Sequence, residues 1–481
     1  MPVNPADGAV LGALYGTDPM RAAMGEDAFL QRMLDVEAAL ARAQARLGII
    51  PAEAAAAITA AADAARLDRA AMAAATRNTG YPVVGLVKQL AALAGPDAGR
   101  WTHWGATTQD IMDTALVLQV RDGLALIEAD LRAACAAFAS MAAAHRDTVM
   151  AGRTHLQHAL PVTFGYKVAV WLSPLLASLD GLARVRERAL RLSFGGAAGT
   201  LASLGDQGIA VGRELARELA LSEADIPWHV ARDGLNEAVC WLGILCGSLA
   251  KVATDVMLMM QNEVAEVSEP HVRGRGGSST MPQKRNPIAC EYIHAQSRGV
   301  HALVPQMLAA MAQDLERGTG PWQAEMLALP QAFLLAHGAV AQARFIAEGL
   351  VVDAARMRRN LDATRGLIVS EAVMMGLAPV FGRGEAHHIV NDACDLAIAE
   401  GIGLTEALLR DARVAARLDA AAIGRMTDPA AYLGSAGAFT DRVLARARSM
   451  GLSWPLRPFR TGPGRSGGTG PSARRSRGSV R

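Results

Sequence analysis

Between Ala231 and Val267, apolar residues recur at steps of three or four: Leu235, Val239, Leu242, Cys246, Leu249, Val252, Val256, Met260, Val264 and Val267. That spacing lays them along one face of a single helix. At a rise of 1.5 Å per residue the predicted helix is about 50 Å long. Such a rod is too long for a small globule and suits an extended bundle. Two neighbouring stretches read the same way. Residues 111–145 are helix-forming almost throughout, and so are residues 167–192, where Pro174 predicts a kink. The longest uncharged run, Met326 to Ala343, contains Pro330, Gln331, His337 and Gln342, and reads as a buried bundle helix and not a membrane span.

Composition agrees with helices. The chain of 481 residues is 51% hydrophobic, enough for a large core, while aromatics at 4% argue against a β-sandwich. The expected fold is all-α: an elongated central helix bundle over residues 106–352, flanked by smaller helical domains at 1–105 and 353–453. Breaks are expected at 48–51 and 79–82 on one side, and near 382–384 and 401–403 on the other. Residues 454–481 change character. They are Gly-, Pro- and Ser-rich, hold seven arginines and no acidic residue, and read as a disordered basic tail.

The net charge of +2 gives no global reason to expect a nucleic-acid partner. With seven of the 48 basic residues in the tail, the rest of the chain is mildly acidic against 46 acidic residues. Five cysteines without a CxxC pair suggest neither a disulfide framework nor a zinc ribbon. His387 and His388 are adjacent, so on a helix they diverge and make no metal site. No secretory signal is evident in the first 26 residues, and the expected location is the cytoplasm. No dinucleotide fingerprint, Walker loop or nucleophile elbow is present, so no cofactor is expected.

The stretch richest in chemistry is Gly274-Arg-Gly-Gly-Ser-Ser-Thr-Met-Pro-Gln-Lys-Arg-Asn-Pro287. Its glycines offer hinge freedom for a lid. Ser278 and Ser279 offer hydroxyls, while Lys284 and Asn286, two apart, are suited to gripping a carboxylate.

GSSTMPQKRNP resembles the GSSxMPxKxNP signature of the fumarase/aspartase superfamily. Two further regions of that superfamily follow in order: His103-Trp-Gly-Ala-Thr-Thr-Gln-Asp110 resembles the first, and Gly152-Arg-Thr-His-Leu-Gln157 the second. The resemblance covers residues 1 to about 450. It implies a homotetramer of almost all-helical subunits, with each active site built from three of them, and β-elimination from a substituted succinate without cofactor or metal. By motif match, Ser278 is the base that removes the Cβ proton. Lys284 and Asn286 hold the carboxylate that becomes an aci-carboxylate dianion, and Thr107 and Thr108 bind substrate carboxylate oxygens. Thr154, Gln157 and His158 line the substrate, and His155 is the general acid at the leaving group.

Further segments resemble the 3-carboxy-cis,cis-muconate cycloisomerase branch: residues 153–163, Phe194-Gly-Gly-Ala-Ala-Gly-Thr200, Pro227-Trp-His-Val-Ala-Arg-Asp233, Glu316-Arg317 with Trp322 and Glu325, and Arg383 to His387. Three positions depart from that branch. His155 stands where a bulky apolar residue is usual, Gln283 where His is usual, and Asn78-Thr-Gly-Tyr-Pro82 replaces a Gly-Asn-x-x-Ile-Pro segment. The combination resembles the nitrosuccinate lyases, which release nitrite and fumarate. The expectation is therefore a succinate-type β-elimination lyase, with nitrosuccinate as substrate. The alternatives are 3-carboxymuconate cycloisomerisation or another C–N elimination such as that of adenylosuccinate.

Overall fold

The computed structural model describes residues 4–277 and 280–455. Ser278 and the basic segment beyond residue 455 lie outside the described residues. Short helices come first: α1 (Asp18–Met24), α2 (Glu26–Arg46), α3 (Ala52–Ala61), α4 (Arg69–Thr79), α5 (Val83–Ala94) and α6 (Pro96–Gly99). Both expected breaks are present there, between α2 and α3 and between α4 and α5.

Five long helices follow: α7 (Thr108–Ala144), α8 (Phe164–Ala189), α10 (Asp233–Met260), α11 (Ile288–Ala309) and α12 (Pro321–Gly349), with the shorter α9 (Gly208–Leu219) beside them. α7 has 37 residues, and so is about 55 Å long. α11 packs on α10 and α12, and α7 on α8 and α12, which closes the bundle. The chain ends in α13 (Ala354–Asp362), α14 (Ser370–Phe381), α15 (Arg383–Glu400), α16 (Leu404–Arg410), α17 (Ala412–Ala415), α18 (Ala420–Met426) and α19 (Ala436–Ser449).

One large core joins the first helices to the bundle and also takes in Leu444 and Ala447 of α19. A smaller core gathers Val373, Leu377, Ile389, Leu404 and Ile423. The most apolar windows of α8, α10 and α12 are long and apolar enough to cross a membrane, yet 56%, 50% and 67% of them are buried within the chain itself. Apolar surface is left over on these rods, including Ile244 of α10 and Leu327 of α12, exposed by 70% and 74%.

Two features differ from the sequence expectation. The predicted helix over 231–267 ends at Met260. Gln261 turns to extended angles, Ala265 takes φ 48°, and the Glu266 N–H closes back on the Met259 carbonyl at 2.9 Å. Val267 keeps the apolar spacing because it is buried as a strand residue, β3 (Val267–Ser268), paired with β4 (Val351–Val352). The second difference is an antiparallel hairpin between α7 and α8, with β1 (Val149–Thr154) and β2 (Gln157–Thr163). It carries the second resemblance region.

Candidate active site

The described candidate residues fall on three supports. The first is the N-terminus of α7. Thr107 is its cap residue, in extended conformation, and Thr108 opens the helix. Both are half-buried. Free N–H groups and the helix dipole make such an end favourable for an anion, and two hydroxyls add donors. The Thr107 N–H donates to the Asp110 carboxylate at 2.9 Å. Just before it, His103 takes φ 59°. Its N–H and Nδ1 contact the buried Glu37 carboxylate at 3.1 and 2.6 Å.

Burial opposes a charge on His103, but the hydrogen bond to Glu37 and its charge outweigh burial and hold the pKa above the ordinary imidazole range. A raised histidine pKa contributes stability that is full below about pH 6.5, the unfolded value, and is lost as pH rises through the folded value. The urea midpoint is therefore expected to fall over that interval, and Glu37→Gln to flatten the dependence. An unchanged slope in the variant would disprove the assignment.

The second support is the hairpin. Arg153 pairs with His158 and Thr154 with Gln157, so residues 155 and 156 form a two-residue turn. His155 and Leu156 have φ 49° and 64°. A turn with both central residues left-handed normally takes Asn or Gly. Here two bulky side chains accept the strain, which is of order 1–2 kcal/mol per residue. Thr154, His155, Leu156 and Gln157 are all exposed.

Next to the turn, the hairpin is anchored to the rest of the chain. Arg153 donates to both oxygens of the fully buried Glu266 at 3.0 and 2.7 Å, and Asn360 of α13 adds a bond of 2.8 Å. His158 stands opposite Arg153, half-buried, and its Nδ1 has no hydrogen-bond partner among the described residues. Burial first, and the Arg153 charge second, lower its pKa below the ordinary imidazole range against the pull of Glu266.

The third support is the signature loop. Lys284 is exposed, and its N–H closes a turn on the Met281 carbonyl at 3.0 Å. The Asn286 N–H donates to the Gly276 carbonyl at 2.9 Å. Gly276 has φ 69°, and a Cβ there would lie 2.8 Å from the Asn286 carbonyl oxygen, so only glycine lets the two arms of the loop meet. The ends are fastened. Glu269 accepts from the Ala289 and Cys290 N–H groups at 3.1 and 2.9 Å, and Arg275 lies 4.1 Å over the Phe345 ring.

Among the described residues, no hydrogen bond or ion pair joins the hairpin tip, the Thr107–Thr108 pair and residues Lys284 and Asn286. Reading the sequence for reactive groups also missed the buried scaffold behind Thr107. Gln109, Asp110, Asp113 and Thr114, in the first two turns of α7, are all at most 1% exposed. The available signal was the density of polar side chains at the start of an otherwise apolar helix, since buried polar groups need partners.

The comparisons with known proteins agree with this architecture. A family model described as lyase matches residues 14–301, and one described as adenylosuccinate lyase C-terminus matches residues 366–443. The chain belongs to the fumarase/aspartase superfamily of lyases. This lyase is 48% identical over 442 residues to the 3-carboxy-cis,cis-muconate cycloisomerase of Bradyrhizobium diazoefficiens, covering 90% of this chain and 97% of that one. It is 41% identical over 449 residues to the nitrosuccinate lyase of Streptomyces davaonensis, covering 91% and 94%. The solved structure of the 3-carboxy-cis,cis-muconate lactonizing enzyme of Pseudomonas putida superposes with a TM-score of 0.88 at 43% identity, covering 92% of this chain and 100% of that one. The nitrosuccinate relative is thus the more distant of the two named relatives, which reverses the order of the sequence expectation.

Proposed function

We propose that this lyase makes or breaks a bond at the carbon β to a carboxylate of a small polycarboxylate, and that 3-carboxy-cis,cis-muconate is its substrate. The observation that carries this reading is the 48% identity, over nearly the whole length, to a cycloisomerase of that name. Cycloisomerisation and β-elimination are one chemistry run in opposite directions. In lactone formation a carboxylate oxygen adds to the β-carbon of the double bond. The electron pair arrives at the α-carbon and is held as an aci-carboxylate until a proton is delivered there. In elimination the proton α to that carboxylate, which is the Cβ proton of a substituted succinate, leaves first, and the substituent on the neighbouring carbon departs with the bonding pair.

Either way the intermediate carries extra charge on one carboxylate, and fixed donors stabilise it. Lys284 and Asn286 serve as those donors, Ser278 exchanges the proton at carbon, and Thr107 and Thr108 at the end of α7 hold a second carboxylate. Thr154, Gln157, His158 and His155 on the hairpin approach from the opposite side.

That no hydrogen bond or ion pair joins the three supports among the described residues of one chain fits sites completed between copies. We infer a homotetramer joined along the long helices, where Ile244 and Leu327 are exposed, with neither a nucleic-acid nor a membrane partner.

Elimination of nitrite from nitrosuccinate is the second reading. The observation favouring it is that His155, at the apex of a strained turn, stands where the cycloisomerase branch usually has a bulky apolar residue. Incubation with each compound separates the two. Loss of muconate ultraviolet absorbance without nitrite supports the first reading. Nitrite release without muconate turnover supports the second, and absence of both reactions overturns both.

A further inference from the structure

Asp110 is 1% exposed and its carboxylate accepts four hydrogen bonds. The Thr107 N–H reaches Oδ2 at 2.9 Å, the Gly195 N–H reaches Oδ1 at 2.8 Å, and the Gly196 N–H reaches Oδ2 at 2.9 Å. The fourth donor is Nε2 of His229, 2.7 Å from Oδ1. A carboxylate facing that nitrogen only accepts, so Nε2 carries the hydrogen. Nδ1 has no hydrogen-bond partner among the described residues.

His229 is itself held. It is 2% exposed, and its carbonyl accepts from Gln109 at 2.8 Å. Gly195 has no room for a side chain: a Cβ would lie 2.8 Å from Pro227 Cβ and 3.0 Å from His229 Cε1. Three segments distant in sequence therefore meet at one buried carboxylate: the start of α7, the loop 194–200, and the segment 227–232. Beyond the anchored Gly195 and Gly196, the crest of the loop at Ala197, Ala198 and Thr200 is exposed. Arg317 holds the crest from the other side through the Ala197 carbonyl at 2.8 Å.

We propose that Asp110 and His229 are positioning residues. They fasten the loop 194–200 against Thr107, so that the loop crest and the Thr107–Thr108 hydroxyls form a single wall for the substrate carboxylate. This rests on the proposed carboxylate-binding role of Thr107 and Thr108. Neither residue touches substrate. Asp110 acts through the Thr107 N–H and the two glycine N–H groups, and His229 by orienting the Asp110 carboxylate. Without the His229 donor, one lone pair of a buried carboxylate is unpaired and the grip on Gly195 loosens.

The test compares His229→Leu, which keeps the bulk and removes the donor, with His229→Gln, whose amide N–H can reach the same oxygen. Hydrogen–deuterium exchange on the full-length protein is the readout that needs no substrate. Leu is expected to speed exchange in peptides covering 104–110 and 192–201, with the long helices α8, α10 and α12 unchanged, and Gln to restore protection. In steady state, on whichever of 3-carboxymuconate and nitrosuccinate is turned over, Leu is expected to lower kcat/KM about 100-fold, mostly through KM. Gln is expected to recover most of that loss.

Faster exchange everywhere, or a fall in kcat alone, would mean a merely structural role and overturn the proposal. Local loosening with an unchanged KM overturns it too. If the wild-type protein turns over neither compound, the functional reading fails, and calorimetric binding of fumarate then replaces KM. Weaker fumarate binding in Leu that Gln restores sustains the proposal, and equal or absent binding in all three proteins overturns it.

Discussion

Replacing Arg232 with methionine is expected to lower the unfolding free energy by about 3–5 kcal/mol, the usual result of stripping one partner from a buried ion pair. Domains of ordinary stability hold only about 5–15 kcal/mol in total, so much of the variant is expected to misfold on expression. The Arg232 side chain is fully buried. It donates to Asp113 at 2.6 and 3.0 Å and to Glu325 at 2.6 and 3.0 Å, while the Trp228 ring lies 4.8 Å from the guanidinium. Trp322 Nε1 and Gln109 also serve Asp113, at 2.9 and 3.1 Å.

Burial opposes the charge of Arg232, but the two carboxylates outweigh burial and raise its pKa. Burial, with the repulsion of Asp113, pushes Glu325 up despite Arg232. With the arginine gone, two carboxylates face each other in a dry site. Glu325, already pushed up, then loses its counter-charge, so the deficit is expected to shrink as pH falls and Glu325 protonates. Adding Asp113→Asn and Glu325→Gln to the methionine variant is expected to recover stability, because all three charges are then gone. Urea unfolding at pH 7.5 and pH 5 checks both points. A loss below about 1 kcal/mol, within the range of an exposed pair, would refute this account.

That cluster also explains what the sequence made legible and what it did not. The rods were legible because burial against several neighbours imposes a helical period over many residues, as from Leu235 to Met260. Their ends were less so, since Val267 preserves the period while lying in a strand. The hairpin was hidden for a different reason. Its turn holds His155 and Leu156 where local preference asks for Asn or Gly. Sites of function are where local rules are expected to be broken.

The three motifs could be found by their resemblance to a known family because each is contiguous in sequence. The groups that hold them in place are not. Asp110 meets Gly195 and His229 from 85 and 119 residues away, and Arg232 reaches Glu325 across 93. Pairing over such intervals depends on how the rods pack, and nothing local in the sequence records it.

Ser278→Ala and His155→Ala are expected to separate by orders of magnitude in turnover. Proton transfer at carbon is required in both proposed reactions, as the final step of lactone formation and the first of elimination. A positioned acid–base group typically contributes about 10²–10⁴-fold, so Ser278→Ala is expected to lose about that much kcat. The task proposed for His155 is narrower. In lactone formation the attacking oxygen belongs to a carboxylate that is already ionised, and nothing needs to be protonated on that side. Nitrite is the conjugate base of a fairly strong acid and also departs without a proton. An amine leaving group, in contrast, must be protonated.

The expected loss for His155→Ala is therefore small, below about tenfold, with either 3-carboxymuconate or nitrosuccinate; an elimination of the adenylosuccinate type instead requires a loss comparable to that of Ser278→Ala. Glycine at position 155 provides the control for backbone strain, since it accepts φ 49° without cost. If His155→Gly retains turnover and His155→Ala does not, the turn geometry is at fault and not the missing imidazole. If both collapse as deeply as Ser278→Ala, the leaving group needs a proton, and both proposed substrates are wrong.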